Sequence, residues 1–158
     1  MRKQKLYLET SVWNFLFADD APEKKIATIR FFNEVEAGKY EIFISETVQA
    51  EIMAAPDEKA AKMYQVIQKH DPVMLELDKE VRSLAEEYVQ NGVLAAKHFN
   101  DLLHLSFATV HSMNALVSWN LNHLVKMKTH KLGNAVNLAK GYHEILIFTP
   151  EEVIENED

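Results

Sequence analysis

The chain contains no cysteine, and among its 158 residues there are only four glycines and four prolines. Without thiols it can form neither disulfides nor thiolate zinc sites, a composition that fits a reducing compartment. So few glycines leave no loop able to cradle nucleotide phosphates, and no Gly-x-Ser-x-Gly elbow marks a serine hydrolase. Long apolar runs are missing as well. After Met1-Arg2-Lys3-Gln4-Lys5 the first apolar stretch ends at Glu9, too short for a signal-peptide core or a membrane span. The expectation is a soluble, unsecreted, cytoplasmic protein with no membrane partner. An excess of basic charge is also lacking, since the net charge is -7. The last eight residues hold five acids and no Lys or Arg, which leaves -2 on residues 1 to 150. Binding of nucleic acid through counterion release requires a basic surface, so any such contact must be local. The best local patch is Lys126, Lys128, His130, Lys131 and Lys140.

What is present suits an ordinary globular core. Hydrophobic residues make up 47% and charged residues 26%, enough for residues 1 to 158 to fold as a single domain without cross-links. Periodicity predicts a strand over residues 5 to 9 and a short helix from Ser11 to Phe17 capped by Thr10 or Ser11. A longer helix runs from Pro22 to about Ala37, with Ile26, Ile29, Phe32 and Val35 as its apolar stripe and Gly38 as its stop. Tyr40 to Ile44 returns as a strand, and Ser45 caps a helix from Glu46 to about Ala54. Two amphipathic helices follow, Asp57 to His70 and Asp78 to Gln90, separated by a strand-like run at Val73 to Leu77. Residues 98 to 111 place Phe99, Leu102, Leu103, Ser106, Phe107 and Val110 on one helical face, with Asp101 at its edge. A strand at Ala115 to Ser118, a turn or helix at Asn120 to Lys126, a helix at Leu132 to Gly141 and a strand at Ile145 to Phe148 complete the pattern.

Strands alternating with helices predict an α/β fold whose central parallel sheet is covered by helices on both faces. Ligands of such sheets bind beyond the carboxyl ends of the strands. Glu9 and Asn120 each follow a predicted strand, while Glu51 and Asp101, on helices after other crossovers, can lean into the same cleft. Taken singly these residues are unremarkable: a strand-end acid, two helix acids and a turn residue. Their convergence is what suggests a divalent-metal site. A zinc reading of the histidines is disfavoured, because no His-Glu-x-x-His pair exists and His98, His104 and His111 do not share a helical face.

The stretch Leu6-Tyr7-Leu8-Glu9-Thr10-Ser11-Val12 resembles the opening of PIN domains, which usually carry Asp where Glu9 stands. Glu51, Asp101 in Asn100-Asp101-Leu102-Leu103-His104, and the segment Ser118-Trp119-Asn120-Leu121-Asn122-His123-Leu124 are similar to the family's later acidic positions, in order and over nearly the whole chain. The resemblance implies a PIN-like metal-dependent ribonuclease, of the kind found as the toxin of toxin-antitoxin pairs. Glu9 is one methylene longer than the usual Asp, and Asn120 is neutral at the fourth position.

Chemistry points the same way, since Mg²⁺ and Mn²⁺ are hard ions that take oxygen ligands and hold an activated water. The expected roles are metal ligation by Asp101 and Glu9, ligation or water orientation by Glu51, and supporting or substrate contacts by Asn120 with Thr10 or Ser11. Ser118 and His123 complete the expected substrate-contacting set. The partners expected are an RNA substrate, a small antitoxin seated among the helices before Gly92, and a second copy in a homodimer. The competing expectation is a non-catalytic PIN-like module that binds protein or RNA.

Overall fold

A computed structural model describes residues 2 to 155, so Glu157 and Asp158 of the acidic tail lie outside the described residues. Five strands form one sheet in which every pairing is parallel: β1 (Gln4–Leu8), β2 (Tyr40–Ser45), β3 (Val73–Leu75), β4 (Ala115–Val117) and β5 (Leu146–Phe148). Their spatial order is β3-β2-β1-β4-β5. The first three strands therefore step outward in one direction, and the fourth returns to the other side of β1. That reversal makes a topological switch point between β1 and β4, where an open α/β sheet has its ligand crevice.

Helices cover both faces of the sheet, as the alternation predicts. Among the described residues they are α1 (Thr10–Asn14), α2 (Pro22–Glu36), α3 (Glu46–Met53), α4 (Asp57–His70), α5 (Lys79–Gln90), α6 (Phe99–Val110), α7 (Met127–Ala139) and α8 (Pro150–Glu155). Because β1 is sandwiched, side chains on both of its faces are apolar and buried: Leu6, Tyr7 and Leu8. Tyr7 pairs with Phe43 on β2 and with Leu116 on β4, in the middle of the core.

Sequence signals account for several boundaries. Pro22 opens α2, where its missing N–H is harmless, and Gly38 with φ 79° supplies the left-handed residue just past the helix end. Ser45 caps α3, accepting hydrogen bonds from the Thr47 and Val48 amides at 3.1 and 3.3 Å, and Asp78 caps α5 through the Val81 amide.

Other expectations are corrected. Neither Thr10 nor Ser11 caps α1; Glu9 occupies the cap position without a side-chain bond, because both hydroxyls serve carboxylates instead. The helix also ends at Asn14, with a 3-10 turn over Phe15–Phe17. On α2 the buried face is Ala27, Thr28, Phe31 and Phe32, while Ile26 and Ile29 are exposed. The indole N–H of Trp119 reaches Thr28 Oγ1 at 2.8 Å and sets that rotation. Helix α6 is buried all round from Leu102 to Thr109 rather than on one face. Helix α7 begins at Met127, five residues before the expected start, and α8 follows Pro150 where no helix is predicted.

Buried polar groups tie the second half together. The Tyr88 hydroxyl of α5 donates to Asn137 Oδ1 of α7 at 2.5 Å and lies 3.2 Å from Thr109 Oγ1 of α6. Asn134 pairs with both the N–H and the C=O of Ile145, just before β5. Gly133 permits the close approach of α7 to α6, since a Cβ there would meet Leu105 Cδ2 at 3.2 Å.

Candidate metal centre

Glu9 leaves the carboxyl end of β1 with its amide bonded to Val117 O of β4 at 3.0 Å, so its backbone straddles the switch point. Its side chain is buried, and Oε1 accepts from Ser11 Oγ at 2.5 Å and from Ser118 Oγ at 2.7 Å. The same two hydroxyls then accept backbone donors: Ser11 from the Trp119 amide at 2.8 Å and Ser118 from the Asn120 amide at 2.9 Å. A serine from each side thus fixes the carboxylate rotamer and locks the β4 exit loop to α1.

Glu51 reaches the same place from the second turn of α3. Its Oε1 accepts from Thr10 Oγ1 and lies against His104 Nε2, each at 2.6 Å. His104 is fully buried, and its Nδ1 lies 2.6 Å from the Tyr7 hydroxyl. That hydroxyl is 2.7 Å from Ser45 Oγ, the α3 cap. A continuous buried chain therefore runs from the α3 cap through Tyr7 and His104 to Glu51 and Thr10. One ligand atom each of Glu9, Glu51 and His104 lies within 4.8 Å of the others.

Electrostatics follow from burial and contact. Burial alone would raise the Glu51 carboxyl, but hydrogen bonds from His104 and Thr10 and the imidazolium charge outweigh it and hold the group below its ordinary value. Burial opposes protonation of His104, yet the bond to Glu51 and the charges of Glu51, Glu9 and Asp101 raise it above the usual histidine value. The two shifts reinforce each other across the 2.6 Å contact, with the Glu9 carboxylate close by.

Asp101 sits in the first turn of α6, half-buried, next to this cluster. Burial raises its carboxyl beyond what the charges of His104 and His123 and a hydrogen bond with Asn120 recover, and Glu51 adds repulsion. Its nearest titratable company is His98 and His123, with ligand atoms of the three within 4.8 Å. Asn120 joins the loop to this group, because its Oδ1 also accepts the His123 amide at 3.0 Å. The structure therefore brings Glu9 and Glu51 together with His104, and puts Asp101 in a separate group with His98 and His123, while Asn120 bonds Ser118 on one side and the His123 amide on the other. Thr10, Ser11 and Ser118 contact the carboxylates, and His123 stands at the outer side.

Two members were not selected from sequence, His98 and His104. The signal was the spacing His98-x-x-Asp101-x-x-His104 across the start of α6, where a 3-10 turn at Ala96–His98 leads into the helix. Of the basic patch, Lys126, Lys128 and Lys131 are exposed, whereas Lys140 pairs with Glu87 at 3.5 Å. A surface hollow of about 720 Å³ lies away from these acids beside the amino ends of β1 and β2, lined by Arg2, Lys3, Lys5 and Asp71 among others. No helix among the described residues is long and apolar enough to cross a membrane.

No family model and no curated protein matches the sequence. Among solved structures, the chain matches VapBC2 from Rickettsia felis, crystallised bound to a DNA fragment from its promoter, with a TM-score of 0.56 and 16% identity. The match covers 92% of this chain and 98% of that one. The fold is that of a PIN domain. At this identity the likeness speaks to the path of the backbone, so the chemistry has to be argued from the side chains described above.

Proposed function

We propose that the protein is a Mg²⁺- or Mn²⁺-dependent ribonuclease that hydrolyses RNA phosphodiester bonds and serves as the toxin of a toxin-antitoxin pair. The observation that carries this reading is the meeting of the Glu9 and Glu51 carboxylates, from β1 and α3, with Asp101 of α6 near enough for its charge to act on His104, beside the β1–β4 switch point of a PIN fold. Two buried or half-buried carboxylates so close together call for a cation, and the His104 side chain lies against one of them, Glu51. The donor set fits a hard ion: carboxylate oxygens dominate, and a Mg²⁺ or Mn²⁺ site keeps several waters. Bonds of about 2.1 Å span roughly 4.2 Å across an octahedral ion, so the Glu9 and Glu51 oxygens, within 4.8 Å of each other, need only a small side-chain adjustment, and Asp101 would join them from the neighbouring group.

Glu9, Glu51 and Asp101 would hold the ion, which when bound supplies charge to a phosphate oxygen and lowers the pKa of a water. The protein's own contribution is placement. Ser11 and Ser118 fix Glu9, Thr10 and His104 fix Glu51, and Asn120 fixes Asp101, as groups behind metal ligands generally must. The extra methylene of Glu9 is accommodated by the two serines. The neutral Asn120 acts as a hydrogen-bond partner of Asp101, and loses nothing in that role by lacking charge. His123, grouped with Asp101, and the exposed Lys126, Lys128 and Lys131 that follow it in the chain would contact the RNA backbone, so binding should weaken with salt. Hydrolysis needs no covalent intermediate: water adds to phosphorus, the bond to the leaving ribose oxygen breaks, and that oxygen takes a proton.

A cytoplasmic location, a homodimer and a small antitoxin partner belong to the same proposal, and the likeness to VapBC2 supports the last of these. The test is cleavage of single-stranded RNA with Mn²⁺ or Mg²⁺ against an EDTA control, with Asp101→Asn as the variant. Metal-dependent cutting that this variant loses while keeping its fold supports the reading. Wild-type protein inert at millimolar Mn²⁺, yet able to bind RNA, would establish a non-catalytic module instead.

A further inference from the structure

Beside the oxygen-rich acids lies a group of different chemistry. His98 closes the 3-10 turn before α6, Asp101 follows three residues on, and His123 comes from the loop between β4 and α7. A ring nitrogen of each histidine and a carboxylate oxygen of Asp101 all lie within 4.8 Å of one another. The imidazoles are in direct contact, with centroids 3.9 Å apart and planes at 33°. Among the described residues, no side chain hydrogen-bonds either ring, so their nitrogens are not committed elsewhere.

The loop that delivers His123 is held at three points. The His123 amide donates to Asn120 Oδ1 at 3.0 Å, the Thr129 hydroxyl donates to the His123 carbonyl, and the Leu124 and Val125 amides bond Asn120 O at 3.0 and 2.9 Å. Asn120 also lies close enough to Asp101 to lower its carboxyl, so one side chain adjoins two members of the group. Residues converging from two separate segments, with their backbones pinned, have the character of a preformed ligand set.

We propose that His98, Asp101 and His123 form a second cation site, selective for a divalent transition ion such as Zn²⁺, Co²⁺ or Ni²⁺ over Mg²⁺. Two imidazoles and one carboxylate are borderline donors, which favour these ions, whereas Mg²⁺ prefers oxygen ligands and retains its water. The three side chains leave further coordination positions for water or a phosphate oxygen, as open zinc sites do. Asp101 has two carboxylate oxygens and is common to this group and to the acids of the proposed nuclease site. An ion held by the histidines would neutralise Asp101 and couple the two sites through that shared carboxylate. The coupling rests on the ribonuclease reading; the histidine site itself does not.

The experiment is a Co²⁺ titration of the purified full chain, followed by visible absorption, in wild type and in His98→Ala, His123→Ala and the double variant. Both histidines are half-buried on the surface, and thermal melts confirm that each variant folds. Wild type should develop the ligand-field bands of nitrogen-bound Co²⁺. The single variants should bind at least about 10-fold more weakly, and the double variant should lose the bands. A 100-fold excess of Mg²⁺ should leave the wild-type bands in place, while Zn²⁺ should abolish them by displacement. The proposal is overturned if wild type shows no such bands at millimolar Co²⁺, if the double variant keeps the wild-type spectrum and affinity, or if Mg²⁺ displaces the ion. Mn²⁺-dependent RNA cleavage, measured separately, distinguishes the two readings: histidine-dependent Co²⁺ binding without cleavage sinks only the nuclease, and cleavage without the cobalt site sinks only this inference.

Discussion

Replacing His104 by Gln keeps a donor near Glu51 but removes the group whose protonated form offsets the Glu9 and Glu51 charges. Two unit charges 4.8 Å apart repel by about 3.5 kcal/mol at an effective dielectric near 20. Glu51 retains 29% side-chain exposure, so water screens part of this, and about 2–3 kcal/mol is the expected loss of stability. For a chain of this length that corresponds to a fall in Tm of roughly 5–10 °C. The pH dependence carries a definite sign. His104 is raised by folding, so its contribution is complete below the unfolded value of 6.5 and is lost as pH rises through the higher folded value. Glu51 is lowered, so its contribution is present above 4.5 and is lost as pH falls through its lower folded value. The Tm gap between wild type and variant should therefore be widest at about pH 5 to 6.5 and should close towards alkaline pH. Mn²⁺ at about 100 times its Kd adds roughly 2.7 kcal/mol and should restore most of the variant's loss, because the ion replaces the missing charge. Thermal melts in EDTA and in Mn²⁺ across that pH range test the reasoning. A variant that melts within 1–2 °C of wild type at pH 6 would refute it, on the scale of roughly 2–4 °C per kcal/mol.

Other substitutions probe the rest of the account. Asp101→Asn removes a carboxylate that burial disfavours, so in EDTA it should match or slightly exceed wild-type Tm, by less than about 1 kcal/mol after screening, while losing the Mn²⁺-induced rise. A clear fall in Tm without metal would count against that reading. Ser118→Ala strips one hydroxyl from Glu9 and the acceptor from the Asn120 amide, and should weaken Mn²⁺ binding about 10-fold by calorimetry. Tyr88→Phe leaves the buried Asn137 and Thr109 short of a partner and should cost about 1–2 kcal/mol in urea unfolding with an unchanged m-value. Trp119→Phe should expose the loss of the indole bond to Thr28 as a cost of about 1 kcal/mol, without moving the Glu9 side.

The parallel sheet was legible because its strands are short apolar runs punctuated by helices, and the Ser45 cap was legible because its partners are two or three residues away. What was not legible depended on distant partners. Thr10 and Ser11 look like helix caps in sequence, yet their hydroxyls are claimed by Glu51 and Glu9. Ile26 and Ile29 outweigh Ala27 and Thr28 on any hydropathy stripe, but Trp119, 91 residues from Thr28, decides which side of α2 faces inward. The early start of α7 has no local cap; Thr129 bonds back to the His123 carbonyl instead. At the candidate site the strand-end positions of Glu9 and Asn120 could be read from pattern, since chain direction and the switch point fix them. His104 could not, because an imidazole on a helix buried all round looks like core until Tyr7 on one side and Glu51 on the other are placed against it.

Anomalous diffraction from crystals soaked in Mn²⁺ tests the central claim most directly. The account predicts a peak within bonding distance of the Glu9, Glu51 and Asp101 carboxylates, beside the ends of β1 and β4, and no such peak in Asp101→Asn crystals. An empty cleft at millimolar Mn²⁺, with the carboxylates still held by the serines and His104, would contradict it.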